Sequence, residues 1–180
     1  GDDVLTGDGN ANKIFGGKGA DTITGGSGDD ILIGDTGASA GSDNLGSLPA
    51  SGDHNMAYAS SISDTLSGGA GNDHLYGDQG DDTLDGGTGA DVYSGGDGSD
   101  TFIMRVGDGG STLADADTIK DFTDGTDVLG MDGSMQYTDL TIAQGTGSNS
   151  SDTIIKAGSE YLTILTGISA SAVTAADFMS

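Results

Sequence analysis

The residues of this chain that can do chemistry are its aspartates. Among 29 acidic side chains Glu160 is the single glutamate, and they face only five Lys or Arg, two His and no Cys. A solvated helical surface mixes Glu with Lys. Asp instead brings its carboxylate back onto its own backbone, favours turns and suits a tight loop around a hard cation. Spacing makes that chemistry specific: Asp3, Asp21, Asp30, Asp73, Asp82, Asp91 and Asp100 occupy one place of a nine-residue pattern, with Asn12 as its neutral member. Glycines precede five of the aspartates at the second and fourth places, as Gly17 and Gly19, Gly26 and Gly28, Gly69 and Gly71, Gly87 and Gly89, and Gly96 and Gly98; the unit of Asp82 has Asp78 and Gly80. Glycine there permits positive φ and lets main-chain carbonyl oxygens converge on an ion, to which the sixth-place carboxylate adds charge.

The elements that must position these ligands follow from the same period. Near-perfect copies read GGKGADTIT from Gly16, GGSGDDILI from Gly25, GGAGNDHLY from Gly68, GDQGDDTLD from Gly77, GGTGADVYS from Gly86 and GGDGSDTFI from Gly95, with a degenerate GDGNANKIF from Gly7. A fixed period of this kind marks a solenoid in which each unit is one turn plus one strand stacked on its neighbours. The eighth-place residues Leu5, Ile14, Ile23, Leu32, Leu66, Leu75, Leu84, Tyr93 and Phe102 are expected to point inward, flanked by β-tolerant residues that alternate outward. The register breaks after Gly34-Asp35 and resumes at Asp64, a further candidate ligand. The intervening residues 36–63 read as an inserted loop holding Pro49 and His54; GSDNL from Gly41 makes Asp43 a candidate ligand, and the parity of the repeats across the loop stays open.

The pattern GGxGxDxUx, with U apolar, resembles the calcium-binding nonapeptide of RTX (repeats-in-toxin) proteins. The resemblance covers residues 1–103. It implies an all-β fold, a parallel β-roll in which six residues of each unit turn, three form a strand, and alternate units lie on opposite sides. If each ion is shared between a loop and the loop two units later, on the order of seven calcium ions bind, offsetting about fourteen of the excess negative charges. Residues 104–180 lack the glycine loops and show strand-like segments at 118–122, 127–129, 139–143, 152–156 and 161–165. They read as a C-terminal β cap over the exposed end of the roll. DTIKDFTDGTDVL from Asp117 and the closing TAADFMS resemble the carboxy-terminal region of type I secreted RTX proteins, among them serralysin-like proteases, lipases, epimerase R-modules and adhesins. That resemblance implies an uncleaved secretion signal around Asp177-Phe178-Met179, from which Ser180 departs, and a cap-proximal calcium at Asp117 and Asp121.

One apolar side chain per nine residues cannot offset the ordering entropy of those nine, and stacked carboxylates repel until a cation sits between them. The metal-free chain is therefore expected to be largely unfolded, with calcium binding as its folding step. Extracellular calcium modules bind at about 10⁻⁴–10⁻³ M, so the chain would stay extended in the cytosol, thread a type I secretion apparatus and fold outside the cell, stabilising a passenger upstream of residue 1. The missing initiator Met fits such a fragment. A net charge of −24 argues against nucleic acid and anionic membranes as partners, and no apolar run is long enough to span a bilayer. A monomer is expected. HExxH and a complete EF-hand are absent, and no catalytic site is expected; His54 and His74 read as solvated. Other readings of the same features are a structural or adhesive element of a cell-surface RTX protein and an accessory module of a polysaccharide-active enzyme. An ice-binding array is not expected from the third-place residues Lys18, Ser27, Ala70, Gln79, Thr88 and Asp97.

Overall fold

A computed structural model describes residues 1–35, 63–131 and 135–179. The repeats supply β1 (Val4–Thr6), β2 (Lys13–Gly17), β3 (Thr22–Ser27), β4 (Ile31–Asp35), β5 (Thr65–Ala70), β6 (His74–Gln79), β7 (Thr83–Thr88), β8 (Val92–Asp97) and β9 (Thr101–Met104). Six strands follow: β10 (Asp117–Ile119), β11 (Val128–Met131), β12 (Leu140–Gln144), β13 (Thr153–Ala157), β14 (Glu160–Leu165) and β15 (Phe178–Met179). Each glycine turn carries the chain across to the opposite sheet, so strands two units apart pair in parallel. The first sheet runs β1-β3-β5-β7-β9-β11-β15 and the second β12-β13-β14-β10-β8-β6-β4-β2.

This is the expected parallel roll, with strands longer than three residues. Pairing continues past the first-place glycine, joining Gly26 to Gly69 and Ser27 to Ala70, so the central strands reach six residues. The eighth-place side chains form the core in two in-register rows, Leu5, Ile23, Leu66, Leu84 and Phe102 in the first sheet and Ile14, Leu32, Leu75 and Tyr93 in the second. Ile23, Leu32, Leu66, Leu75 and Leu84 are 0% exposed. The outer faces differ: the first presents Thr22, Thr65, Thr83 and Thr101 in register, the second Phe15, Ile33, Tyr76 and Ser94 beside Ile31, His74 and Val92.

Both core rows run on into the C-terminal part. Leu129 and Phe178 continue the first, Ile119 and Leu165 the second. Antiparallel β12, β13 and β14 close the second sheet, while β15 brings the segment expected to carry the secretion signal in as the last strand of the first. Parity across the inserted segment is resolved as well, since β4 lies in the second sheet and β5 in the first, the alternation of uninterrupted repeats. The inserted residues 36–62, including Asp43, His54 and Pro49, lie outside the described residues. Among the described residues no helix is long and apolar enough to cross a membrane.

Candidate metal centre

Each turn is built on backbone that only glycine adopts freely. In the unit from Gly68, Gly69 and Gly71 have φ of 110° and 139°, and a Cβ on Gly69 would stand 2.0 Å from the carbonyl oxygen of Gly26. Consecutive turns therefore stack main chain on main chain, and the fifth-place side chains tie them: Asp29 Oδ1 accepts the amide of Asn72, and Asn72 Oδ1 that of Ala90, both at 2.9 Å.

The sixth-place carboxylates lie inside the roll in two rows, one along each edge. Asp21, Asp30, Asp64, Asp73, Asp82, Asp91 and Asp100 are all 2% exposed or less. In every case Oδ1 accepts the amide of the sixth-place residue two units earlier, at 2.6–3.0 Å, from Asp3 N to Asp21 through to Asp82 N to Asp100. The bond from Asp21 N to Asp64 Oδ1 spans 43 residues where its neighbour spans 18, so the inserted loop leaves the row intact.

The second oxygen is treated differently. Oδ2 of Asp21, Asp30, Asp73, Asp91 and Asp100 is buried and accepts no hydrogen bond. It points at the bare Cα of the first-place glycine of its own unit; a Cβ on Gly68 would stand 2.3 Å from Asp73 Oδ2 and 2.7 Å from the carbonyl oxygen of Gly86, and Gly16, Gly25 and Gly77 repeat the arrangement. At Asp21, Asp30 and Asp73 a carboxylate oxygen and a main-chain carbonyl oxygen thus converge, and the carboxylate oxygen has no donor. Burial is the main reason that the Asp73 and Asp100 carboxyls are pushed up to about 6 and that of Asp91 to about 7, with neighbouring carboxylates adding to the rise.

A buried carboxylate oxygen without a donor is tenable only beside a cation or once its group takes up a proton, and the donor set here is all oxygen, the preference of calcium. Among the described residues no three acidic or histidine side chains converge, so main-chain carbonyls must complete any coordination shell, which the stacked glycine turns allow. These residues fit calcium. Four copies of the RTX calcium-binding nonapeptide repeat model match the chain, over residues 1–22, 6–39, 58–93 and 67–102. The chain belongs to the RTX calcium-binding nonapeptide repeat family.

As an RTX module it binds calcium through these repeats. Among solved structures it is similar to the AlgE6R3 subunit of the Azotobacter vinelandii mannuronan C5-epimerase, at 30% identity over 68% of this chain and 75% of that one, with a TM-score of 0.49. The AlgE6R2 subunit of the same enzyme is 22% identical over 97% and 91%, with a TM-score of 0.48. The extracellular lipase LipA of Serratia marcescens is 19% identical over 97% of this chain and 39% of the lipase, also at 0.48. No curated protein shows significant similarity to the chain.

The remaining RTX candidates divide by position. Asp3 and Asn12 belong to the outermost turns, where Asn12 Oδ1 accepts the amide of Asp8. Gly17, Gly19, Gly26, Gly28, Gly69, Gly71, Gly80, Gly87, Gly89, Gly96 and Gly98 all adopt positive φ, and Asp78 does so at 85° in a place where other units have glycine. Asp117 extends the second row, its Oδ1 accepting Asp91 N at 3.0 Å. Asp121 stands apart, its carboxylate accepting Ser94 Oγ, Gly95 N and Gly96 N. Asp127, which sequence reasoning missed, extends the first row by accepting Asp100 N at 3.0 Å. Its signal was present: Asp117-Thr118-Ile119 and Asp127-Val128-Leu129 keep the Asp-x-apolar triad of the repeats without their glycines.

Proposed function

We propose that the chain is a calcium-responsive folding and secretion module. At low cytosolic calcium it stays unfolded and passes a type I secretion apparatus; outside the cell it binds several calcium ions, folds, and stabilises a passenger upstream of residue 1. It is not itself an enzyme, and it works as a monomer in the extracellular space or at the cell surface.

The observation that carries this reading is the buried Oδ2 of Asp21, Asp30, Asp73, Asp91 and Asp100 without a hydrogen-bond donor. With neither a cation nor a proton those oxygens lose water and gain nothing, beside a core of one apolar side chain per unit. With calcium the same oxygens become ligands, so binding and folding are one equilibrium. The ligands proposed are the sixth-place carboxylates Asp21, Asp30, Asp64, Asp73, Asp82, Asp91 and Asp100, with carbonyl oxygens of the glycine turns. The C-terminal segment supports the order of events. Asp177 is buried, its Oδ2 accepting the amide and hydroxyl of Thr174, and Phe178 pairs with Leu129. A receptor reading Asp177-Phe178-Met179 as an extended signal must therefore meet the chain before it folds.

Far-ultraviolet circular dichroism during a calcium titration, with magnesium as control, tests the proposal. A cooperative coil-to-sheet transition near millimolar calcium and absent with magnesium is expected. A sheet signal that persists in excess chelator at pH 8 would overturn the switch and point to a constitutively folded surface element.

A further inference from the structure

The carboxylate rows end differently from the way they run. Within the repeats Oδ2 of Asp30, Asp73 and Asp91 accepts no hydrogen bond. At Asp117, the last member of that row, Oδ2 accepts the hydroxyl of Tyr93 at 3.2 Å, and the same hydroxyl accepts the amide of Gly86 at 3.0 Å. Tyr93 is itself 2% exposed and holds the eighth place of its unit, where preceding units carry Ile or Leu. A leucine fills the core and stops; the phenol crosses it and delivers a polar atom to the carboxylate row. The glycine cradles show the exchange directly. Gly16, Gly25, Gly68 and Gly77 face the carbonyl oxygens of Gly34, Gly68, Gly86 and Gly95 beside the carboxylate of their own unit, whereas Gly86 faces Asp91 Oδ2 and, in the place of a carbonyl, the hydroxyl of Tyr93, 2.1 and 2.4 Å from where a Cβ would stand.

We propose that the Tyr93 hydroxyl terminates this row with a proton where the repeats place a cation, so that calcium binding along it stops at Asp91 and Asp117 is held by the protein alone. The inference rests on the reading that the sixth-place carboxylates of the repeats are calcium ligands. The other row ends by the same logic, since Asp127 Oδ2 accepts the amide of Thr123 at 2.7 Å. Asp121, held by its three donors, likewise needs no metal. The junction of roll and cap is thereby satisfied without calcium, and the repeats stack onto an end that is already internally bonded.

The test counts bound calcium by equilibrium dialysis of the 180-residue chain and its Asp91→Asn and Asp117→Asn variants. Asp117→Asn keeps the oxygen that accepts Asp91 N and offers an amide that the Tyr93 hydroxyl can accept, so it is expected to bind as many ions as wild type. Asp91→Asn is expected to bind fewer. Loss of an ion from Asp117→Asn would overturn the termination. In case that variant fails to fold, proton NMR of the calcium-saturated wild type is expected to show a slowly exchanging hydroxyl proton that is missing from Tyr93→Phe; its disappearance on calcium saturation would overturn the proposal equally. A wild type that takes up no calcium, or an Asp91→Asn variant that keeps every ion, overturns the underlying ligand assignment and the termination with it.

Discussion

Replacing Gly68 by Ala sets two physical effects against each other. The φ of Gly68 is outside the left-handed region, so the backbone accepts alanine, and removing glycine from a strand interior favours folding by about 0.5–1 kcal/mol. Against that, the new methyl carbon would lie 2.3 Å from Asp73 Oδ2, 2.8 Å from its Cγ and 2.7 Å from Gly86 O. No van der Waals contact is that short. Either the turn is overpacked, costing about 1–3 kcal/mol, or Asp73 swings away and gives up its 2.6 Å bond from Asp30 N, a charged hydrogen bond contributing about 1.5–3 kcal/mol. The cheaper route minus the alanine gain leaves a net loss of about 0.5–2 kcal/mol, or roughly 1–8 °C in Tm for a chain of this size. The assay is thermal unfolding by circular dichroism in saturating calcium, followed by the calcium midpoint at fixed temperature, which should rise. Gly9→Ala is the control: its Cβ would meet nothing within 4 Å and its φ is also permissive. A Gly68→Ala variant at least as stable as wild type would refute the convergence of carboxylate and carbonyl oxygens on that point.

Three further outcomes follow from the same geometry. Leu75→Ala empties a 0% exposed site between Leu32 and Tyr93 and should cost about 2–5 kcal/mol in denaturant unfolding with calcium present; an unchanged midpoint would mean that the inward row is not the core. Asp78→Gly should relieve a φ of 85°; left-handed backbone costs a side-chain-bearing residue about 1–2 kcal/mol, glycine returns part of that in entropy, and a Tm below wild type would show that the Asp78 side chain outweighs its strain. Asp73, Asp91, Asp100 and Asp117 have carboxyls pushed up by burial to about 6, 7, 6 and 8, so the metal-free fold holds protons more tightly than the unfolded chain. That stabilisation is complete below the unfolded carboxylate range near pH 4 and fades as pH rises through 6 to 8. In chelator, sheet content should therefore increase from pH 8 to pH 5, while in calcium the binding midpoint should move to higher concentration over the same interval because protons and calcium compete for the same oxygens. A metal-free chain that loses sheet on acidification would reverse the sign and refute the burial argument.

The nine-residue period made the roll legible because it fixes side-chain direction twice: Asp21 and Ile23 sit two apart and must face the same side of a strand, and the glycine turn must return the chain to the other sheet. What it left unread depends on reach. That Tyr93 extends through the core to Asp117 follows from the length of a phenol and the height of a turn, neither of which is periodic. Asp127 has no glycine turn before it to mark it in the period, whereas the ladder bond needs only an aspartate at the start of a strand. The outward ladder of Thr22, Thr65, Thr83 and Thr101 lies on the strands, apart from the third-place residues of the turns. Parity across residues 36–62 was beyond pattern reading, since an insertion has no period of its own.

The pairing of units two apart has a consequence for how such a chain can lengthen or shorten during its history. Recombination between neighbouring copies adds or removes nine residues at a time, and the main chain would accept the change, because one turn resembles the next. The surfaces would not: every strand on one side of the join would change sheets, so threonine rows would continue into aromatic ones. An exchange of eighteen residues, the spacing of the ladder bonds, leaves both outer faces continuous. Copy number should accordingly be inherited in twos, with a lone repeat tolerated only where neither surface is in use.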